Sequence, residues 1–440
     1  MLGQDALTSK IIRFALPLMA SGVVQQSFNS VDVAVVGKFV GAGALAAVGA
    51  NMSVVSLIVN LFIGIAIGSN VVIANYIGQR DRAGVQRAVH TSMLFSVVIG
   101  ILLFGVGLCV ASPLLTLLGT PTEVLADATL YLRLLSIGFP ALMVYNFASA
   151  ILRSVGDTRR PFYWLVIGGV INICLNLIFV IFFGMGVEGV AIATVVANVV
   201  SAAGVVLILI RDRSELHLDL HSLQLHGSEL GKILRIGVPA GLQGMVFALS
   251  NVFIQSGINS FGKEAMAGSA AALNFELYCY YVISSYAQAA VAFISQNYGA
   301  GQLAHCRRIF RRCMSLSVVS CLTLNVVIYL FRYGFVSLFT TQPEAMQFAA
   351  LRIENVLIFQ FIACSYEVAG ASMRAIGYPM TPTVLTILGT CLLRVGWVVI
   401  GVAHDYSTLL AIYPITWVVT GTAVITAWII TSRRALTPAS

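Results

Sequence analysis

The sequence predicts an all-α polytopic membrane protein, with twelve transmembrane helices in two six-helix lobes related by a pseudo-twofold axis along the membrane normal. Three observations predict it. Of 440 residues, 59% are hydrophobic and only 10% are charged, whereas soluble domains carry about 25% charge. A core cannot bury that much apolar surface, so lipid must cover the remainder. Twelve apolar runs follow one another, each long enough for the roughly 20 residues that cross a hydrocarbon core. The second six runs repeat the first six at a shift of about 221 residues.

The first run, 14–38, holds Pro17 near one end and Asp32 near the other, flanked by Val31, Val33, Val35 and Val36. A carboxylate at the bilayer centre costs about 2.5–3.5 kcal/mol on insertion scales, so Asp32 is a functional candidate by default. The short polar start, with Lys10 and Arg13, leads into a long span with no small-residue cleavage site, so no signal peptide is expected. Runs two to six span 46–77, 90–113, 128–152, 161–184 and 188–210. Then comes the longest polar connection, RDRSELHLDLHSLQLHGSELGK, at 211–232. Runs seven to twelve span 233–260, 266–297, 312–333, 346–373, 380–402 and 407–430. The division is a lobe at 1–210, a cytoplasmic linker at 211–232 and a lobe at 233–440. His217, His221 and His226 in the linker are spaced by four then five with no cysteine, which reads as a solvated linker rather than a zinc site. The eight cysteines are scattered with no CxxC pair and read as small apolar packing residues.

Charge sets the orientation. With the N-terminus inside, 19 of the 25 Lys and Arg residues fall on cytoplasmic segments. Five fall outside, namely Lys38, Arg133, Lys263, Arg332 and Arg352, and Arg394 lies within a span. The positive-inside rule therefore places both termini in the cytoplasm, in the inner (cytoplasmic) membrane, and accounts for the net charge of +8 without nucleic acid.

The repeat is local as well as global. IANYIGQRDRAGVQR at 73–87 falls on ISQNYGAGQLAHCRR at 294–308, and LRSVGDTRRP at 152–161 falls on MRAIGYPMTP at 373–382. Six crossings separate the copies, so they share one orientation, a plan common in secondary transporters. No HExxH, phosphate loop, aspartate-rich pair or TVGYG-type filter is present, which argues against a membrane enzyme or channel.

These motifs, with VDVAVVG, GALAAVG, YLRLLSIGFP and GVEGVAIAT in the same order, resemble the multidrug and toxic compound extrusion (MATE) family over nearly the whole chain. The resemblance implies export of amphipathic, mostly cationic compounds in exchange for Na+ or H+, with no other cofactor. It implies a small organic substrate, a lipid bilayer around the protein and a monomer. It also implies a cation site in the first lobe at Asp32, Asn172, Asn176 and Thr194, with Tyr131 beside it. Asn176 is a departure, because the family pattern has Asp there; the change weakens Na+ binding and leaves open a proton on Asp32.

Geometry agrees with that set. Asn172 and Asn176 are i and i+4 and share a helix face. Asp32 lies 15 residues past Pro17, and Asn176 lies 15 past Pro161, about 22 Å of helical rise in each case. Carboxylate, amide and hydroxyl oxygens are what a hard cation prefers. The bland alternatives are interhelical bonding by the asparagines and back-bonding of Thr194 to its own helix.

Candidate substrate-binding residues are Gln25, Asn29 and Asn146 in the first half, and Gln243, Asn251, Glu276, Tyr278 and Glu367 in the second. Glu276 lies among Phe275, Tyr278, Tyr280 and Tyr281, which suits a flat organic cation. Arg394 needs a partner, with Glu367 or Glu354 the candidates. A second function, flipping a lipid or lipid-linked precursor as related transporters do, is disfavoured because only Arg394 is basic deep within a span.

Overall fold

A computed structural model describes residues 4–117, 120–401 and 404–436. The chain is 88% helix and has no strand among the described residues. Helix α1 (Gln4–Val35) ends in a π-helical turn, Val36–Val40. It is followed by α2 (Ala42–Gln79), α3 (Arg82–Leu117), α4 (Thr122–Ile137) and α5 (Phe139–Ser154). Helix α6 (Arg159–Leu177) ends in a second π-helical turn, Ile178–Phe182, and α7 is Val187–Arg211. The second half comprises α8 (Gly227–Asn259), α9 (Lys263–Gly299), α10 (Leu303–Leu330), α11 (Arg332–Val336), α12 (Pro343–Asn355) and α13 (Cys364–Ala375). It closes with α14 (Met380–Thr386), α15 (Leu393–Val399), α16 (Tyr406–Leu410) and α17 (Ile412–Ala435).

Among the described residues, eleven helical stretches are long and apolar enough to cross a membrane, and the pair α4–α5 makes a twelfth. That fourth span is broken, with its halves meeting at 47°. The cause is local. Pro140 is the second residue of α5 and has no N–H to give the preceding turn, so the helix restarts at Gly138, whose carbonyl accepts from the Leu142 N–H at 2.9 Å. The tenth span, Pro343–Ala375, tightens to a 3-10 stretch at Leu357–Ala363, and the eleventh widens to a π-helical stretch at Ile387–Leu392. Pro161 and Pro382 both lie in the first turn of their helices, where the missing N–H costs little.

The duplication extends to single backbone angles. Left-handed φ occurs at Gly41 (+123°) and Gly262 (+95°), at Arg80 (+60°) and Gly301 (+69°), and at Gly156 (+89°) and Gly377 (+88°). Each pair is 221 residues apart. Glycine occupies five of the six positions because a Cβ crowds the backbone there; Arg80 takes the conformation without that freedom.

The chain divides into two compact units, Ala20–Leu234 and a second made of the residues up to Met19 with Arg235–Ser440. In the first unit the linker is not simply solvated. The alternating leucines of LHLDL give it an inner face, and Leu216 and Leu218 are each 1% exposed. It lies as a strap along the start of α3. Gln86 Nε2 donates to the Glu215 carbonyl at 2.7 Å, Arg82 pairs with Glu215 at 3.3 Å, and the Asp219 N–H donates to His90 Nε2 at 3.2 Å. The Ser222 hydroxyl and the His221 N–H hold the Asp219 carboxyl below the usual carboxylate range. Glu229, buried at the head of α8, accepts from Tyr76 Oη at 2.6 Å and from Arg87 Nε at 3.3 Å.

Candidate functional site

In the first unit a continuous polar chain crosses three helices. It starts at Asp32, half-buried near the end of α1, whose Oδ1 accepts from Asn176 Nδ2 on α6. The same amide nitrogen lies 3.2 Å from Asn172 Oδ1, one turn earlier. Asn172 Nδ2 donates to Thr194 Oγ1 on α7 at 3.2 Å, and that hydroxyl donates to the Val190 carbonyl at 3.0 Å. Four of the sequence-predicted residues are thus brought together. Tyr131, the fifth, lies close enough to feel the charge of Asp32 and belongs to a buried apolar cluster with Val35, Val36, Val180 and Val190.

The local structure explains why these groups meet. Asn172 and Asn176 occupy the buried stripe of α6, at 5% and 0% exposure. Both π-helical turns begin within four residues of the site, Val36 after Asp32 and Ile178 after Asn176, and they pack on each other. Such turns put an extra residue into a helix and free backbone groups, and they recur at functional positions. Between α1 and α6 the approach is close: an added Cβ on Gly169 would lie 1.5 Å from the Phe28 ring.

The donors and acceptors do not balance. Both amides turn N–H groups towards oxygens, and this leaves Asn176 Oδ1 buried with no hydrogen-bond partner among the described residues. Buried acceptors are normally satisfied. One carboxylate, two amide oxygens and a hydroxyl form an all-oxygen set, which fits a monovalent hard cation. With a single carboxylate the set is low in charge, and among the described residues no group of three or more His, Cys, Asp or Glu side chains could hold a metal ion.

Gln25 and Asn29 are exposed on α1, and with Asp32 they fall at i, i+4 and i+7 on one helix face. Asn146 on α5 donates back to the Leu142 carbonyl at 2.9 Å.

In the second unit the predicted polar residues gather around three arginines, Arg352, Arg374 and Arg394, the first and last of which share the Tyr413 ring. Both carboxylate oxygens of Glu276 are taken by Arg352, at 2.6 and 2.9 Å, and Arg352 also donates to Ser269 Oγ at 2.5 Å. Tyr278 packs edge-on to Phe275, with centroids 6.4 Å apart. Gln243 Oε1 accepts from Arg374 Nη1 at 3.2 Å and from Thr383 at 3.4 Å. Glu367 lies near Arg374 and Tyr280. Asn251 Oδ1 accepts from Arg394 Nη1 at 2.9 Å.

Two sequence expectations are corrected here. Arg352 is not on an outer segment: it is 2% exposed, within the span containing α12. A signal for this existed, because Arg352 falls in step with Ala345 and Ala349 on the apolar stripe of α12, and with Val356 just beyond it. Arg394, fully buried, pairs with neither Glu367 nor Glu354; Glu354 instead binds Arg332 at 3.0 Å. The Arg394 guanidinium lies over two rings, 4.4 Å from Tyr413 and 5.0 Å from Phe247, and its Nη2 has no hydrogen-bond partner among the described residues.

Comparison with known proteins places these features in context. A family model described as MatE matches residues 17–178 and again 239–400. The probable multidrug resistance protein YoeA of Bacillus subtilis is 28% identical, over 85% of this chain and 82% of its own. The probable multidrug resistance protein NorM of Thermotoga maritima is 26% identical, over 87% and 83%. An FAD transporter of Shewanella oneidensis is 24% identical, over 94% and 92%. Among solved structures, a MATE protein in complex with MaL6 superposes with a TM-score of 0.91 at 24% identity, covering 98% of this chain and 97% of that one.

Proposed function

The chain belongs to the MATE family of multi-pass membrane transporters, and on that premise we propose that it exports amphipathic, mostly cationic compounds in exchange for Na+ or H+. Asp32 carries the reading. It is the one carboxylate in the span Ala6–Val40, tied through Asn176 and Asn172 to Thr194, beside an amide oxygen that has no partner among the described residues.

The chemistry follows from that imbalance. While Asp32 is charged, the Asn176 N–H donates to it and the amide oxygen is left unused. A proton or Na+ reaching Asp32 removes the demand for that donor. The Asn176 amide then turns its oxygen inward, Asn172 and Thr194 re-pair, and α1 shifts against α6 at their π-helical turns. For Na+, the ligands are the carboxylate of Asp32, the amide oxygens of Asn172 and Asn176 and the Thr194 hydroxyl, with Tyr131 closing the apolar side. Gln25 and Asn29 lie on the same face of α1, so substrate held there is sensitive to the state of Asp32. Each inward charge supplies about 2.3 kcal/mol per 100 mV. The protein works as a monomer in the cytoplasmic membrane with both termini inside.

A second reading is favoured by Arg394. A buried guanidinium that among the described residues has no carboxylate and one unpaired nitrogen suits an anionic aromatic substrate such as the flavin carried by the Shewanella relative.

Proteoliposomes with imposed Na+ or pH gradients test both readings. Wild-type protein is expected to drive uptake of a fluorescent organic cation, Asp32→Asn to abolish it with normal protein yield, and FAD not to compete. Full exchange by Asp32→Asn would remove the mechanism. Competition by FAD that is lost in Arg394→Met would favour the anionic substrate.

A further inference from the structure

Six arginines gather at one end of the second unit. Arg307, Arg308, Arg311 and Arg312 occupy the first turns of α10, and Arg433 and Arg434 the last turn of α17. The two ends are packed together: Arg307 Nη2 donates to the Ser432 carbonyl at 3.0 Å, and the Phe310 ring lies 4.6 Å from that of Trp428. Arg308, Arg311, Arg433 and Arg434 are exposed. Neither α10 nor α17 contains an acidic residue. Among the described residues no carboxylate pairs with Arg308, Arg311 or Arg434.

The fold itself gives these charges little reason to be there. Four of them crowd the N-terminal turns of α10, where the helix dipole is already positive and cations are disfavoured. The other copy shows the contrast. Moved back by 221 residues, the six positions become Gln86, Arg87, His90, Thr91, Asp212 and Arg213. There Arg87 is paired with the buried Glu229, and the strap covers the helix end and brings Glu215 to Arg82. One unit supplies its own acids at this end, whereas the other leaves Arg308, Arg311 and Arg434 without a carboxylate among the described residues.

We infer that this end of α10 and α17 is a docking surface for anionic phospholipid headgroups. The arginines end two membrane-spanning helices, which is headgroup depth, and guanidinium binds phosphate oxygens in bidentate fashion. One turn deeper on α17, Ile429 and Ile430 are 45% and 48% exposed, an apolar face along which acyl chains can lie. Basic clusters bordering transmembrane helices bind anionic lipid for these electrostatic reasons.

The test uses the full-length protein in phosphatidylcholine nanodiscs doped with headgroup-labelled phosphatidylglycerol. Energy transfer from the protein's tryptophans reports the bound lipid. Wild type and R308K/R311K/R434K are expected to enrich phosphatidylglycerol over labelled phosphatidylcholine. R308Q/R311Q/R434Q should bind it about a hundredfold more weakly, as expected for three lost contacts. Inorganic phosphate should not displace it. Equal affinity in the glutamine variant, no preference over phosphatidylcholine, or full displacement by inorganic phosphate would each overturn the inference. Should the triple variant not fold, wild type at high salt replaces it: preference must fall as salt screens the contacts, and a salt-independent preference overturns the inference equally.

Discussion

Glu276 and Arg352 illustrate what one residue contributes inside a span. Each is nearly inaccessible, and each satisfies the other through two hydrogen bonds. Removing one member of such a pair costs about 3–5 kcal/mol, whereas replacing both with apolar residues of similar size is often neutral. Glu276→Gln should therefore lower the melting temperature sharply in detergent, while E276L/R352M should melt near wild type. At the cation site, Asn176→Asp adds a second carboxylate beside Asp32. It should strengthen Na+ dependence of transport, read as a fall in the half-saturating Na+ concentration. The meeting of Asp32, Asn172, Asn176 and Thr194 was expected from the family resemblance, and the spacing agreed with it: two asparagines one turn apart, and an acid and a threonine at matching height. The Arg352 pair was not, because its partners are 76 residues apart and a charge near a span end resembles a loop charge. The partners of Arg394 were missed for a different reason. Two aromatic rings and an amide oxygen can hold a guanidinium, and no sequence spacing announces them.

At the scale of elements, the interface between α1 and α6 is set by the missing side chain of Gly169. Gly169→Ala would drive a methyl group into Phe28, one turn from Asp32, and so force the two helices apart or the ring out of place. Transport should drop several-fold, and Phe28→Ala should restore much of it, which a merely unfolded protein would not allow. The turn between α2 and α3 offers the opposite case. Arg80 holds a left-handed conformation that its counterpart Gly301 holds freely, and that conformation costs a non-glycine residue about 1–2 kcal/mol. Arg80→Gly is expected to raise the thermal midpoint by a few degrees in a fluorescence-detected melt. Apolar runs revealed where helices exist but not how they are interrupted. The break at Gly138 follows from Pro140, a visible cue, whereas the π-helical turns depend on packing between helices and left no mark in the periodicity.

For the whole molecule, composition and duplication carried most of the answer. Lipid solvation leaves few alternatives to helices, and a 221-residue shift is easy to see once glycines and prolines coincide. Orientation rests on the same logic as the arginine count. A green fluorescent protein fused to the C-terminus should fluoresce, and alkaline phosphatase fused there should stay inactive; the reverse result would invert the topology. The linker was the least legible segment, since its polar composition concealed two inward leucines and a histidine acceptor waiting on α3. Its attachment to one copy alone has a practical corollary. A gene divided to make the halves as separate polypeptides should be cut after the strap, beyond residue 232, and not at the end of α7. Cut early, the first fragment would lose the cover over its own α3, uncover the buried His90 and leave Arg82 and Arg87 without Glu215 and Glu229, and the second would begin with a sticky, unpartnered leader.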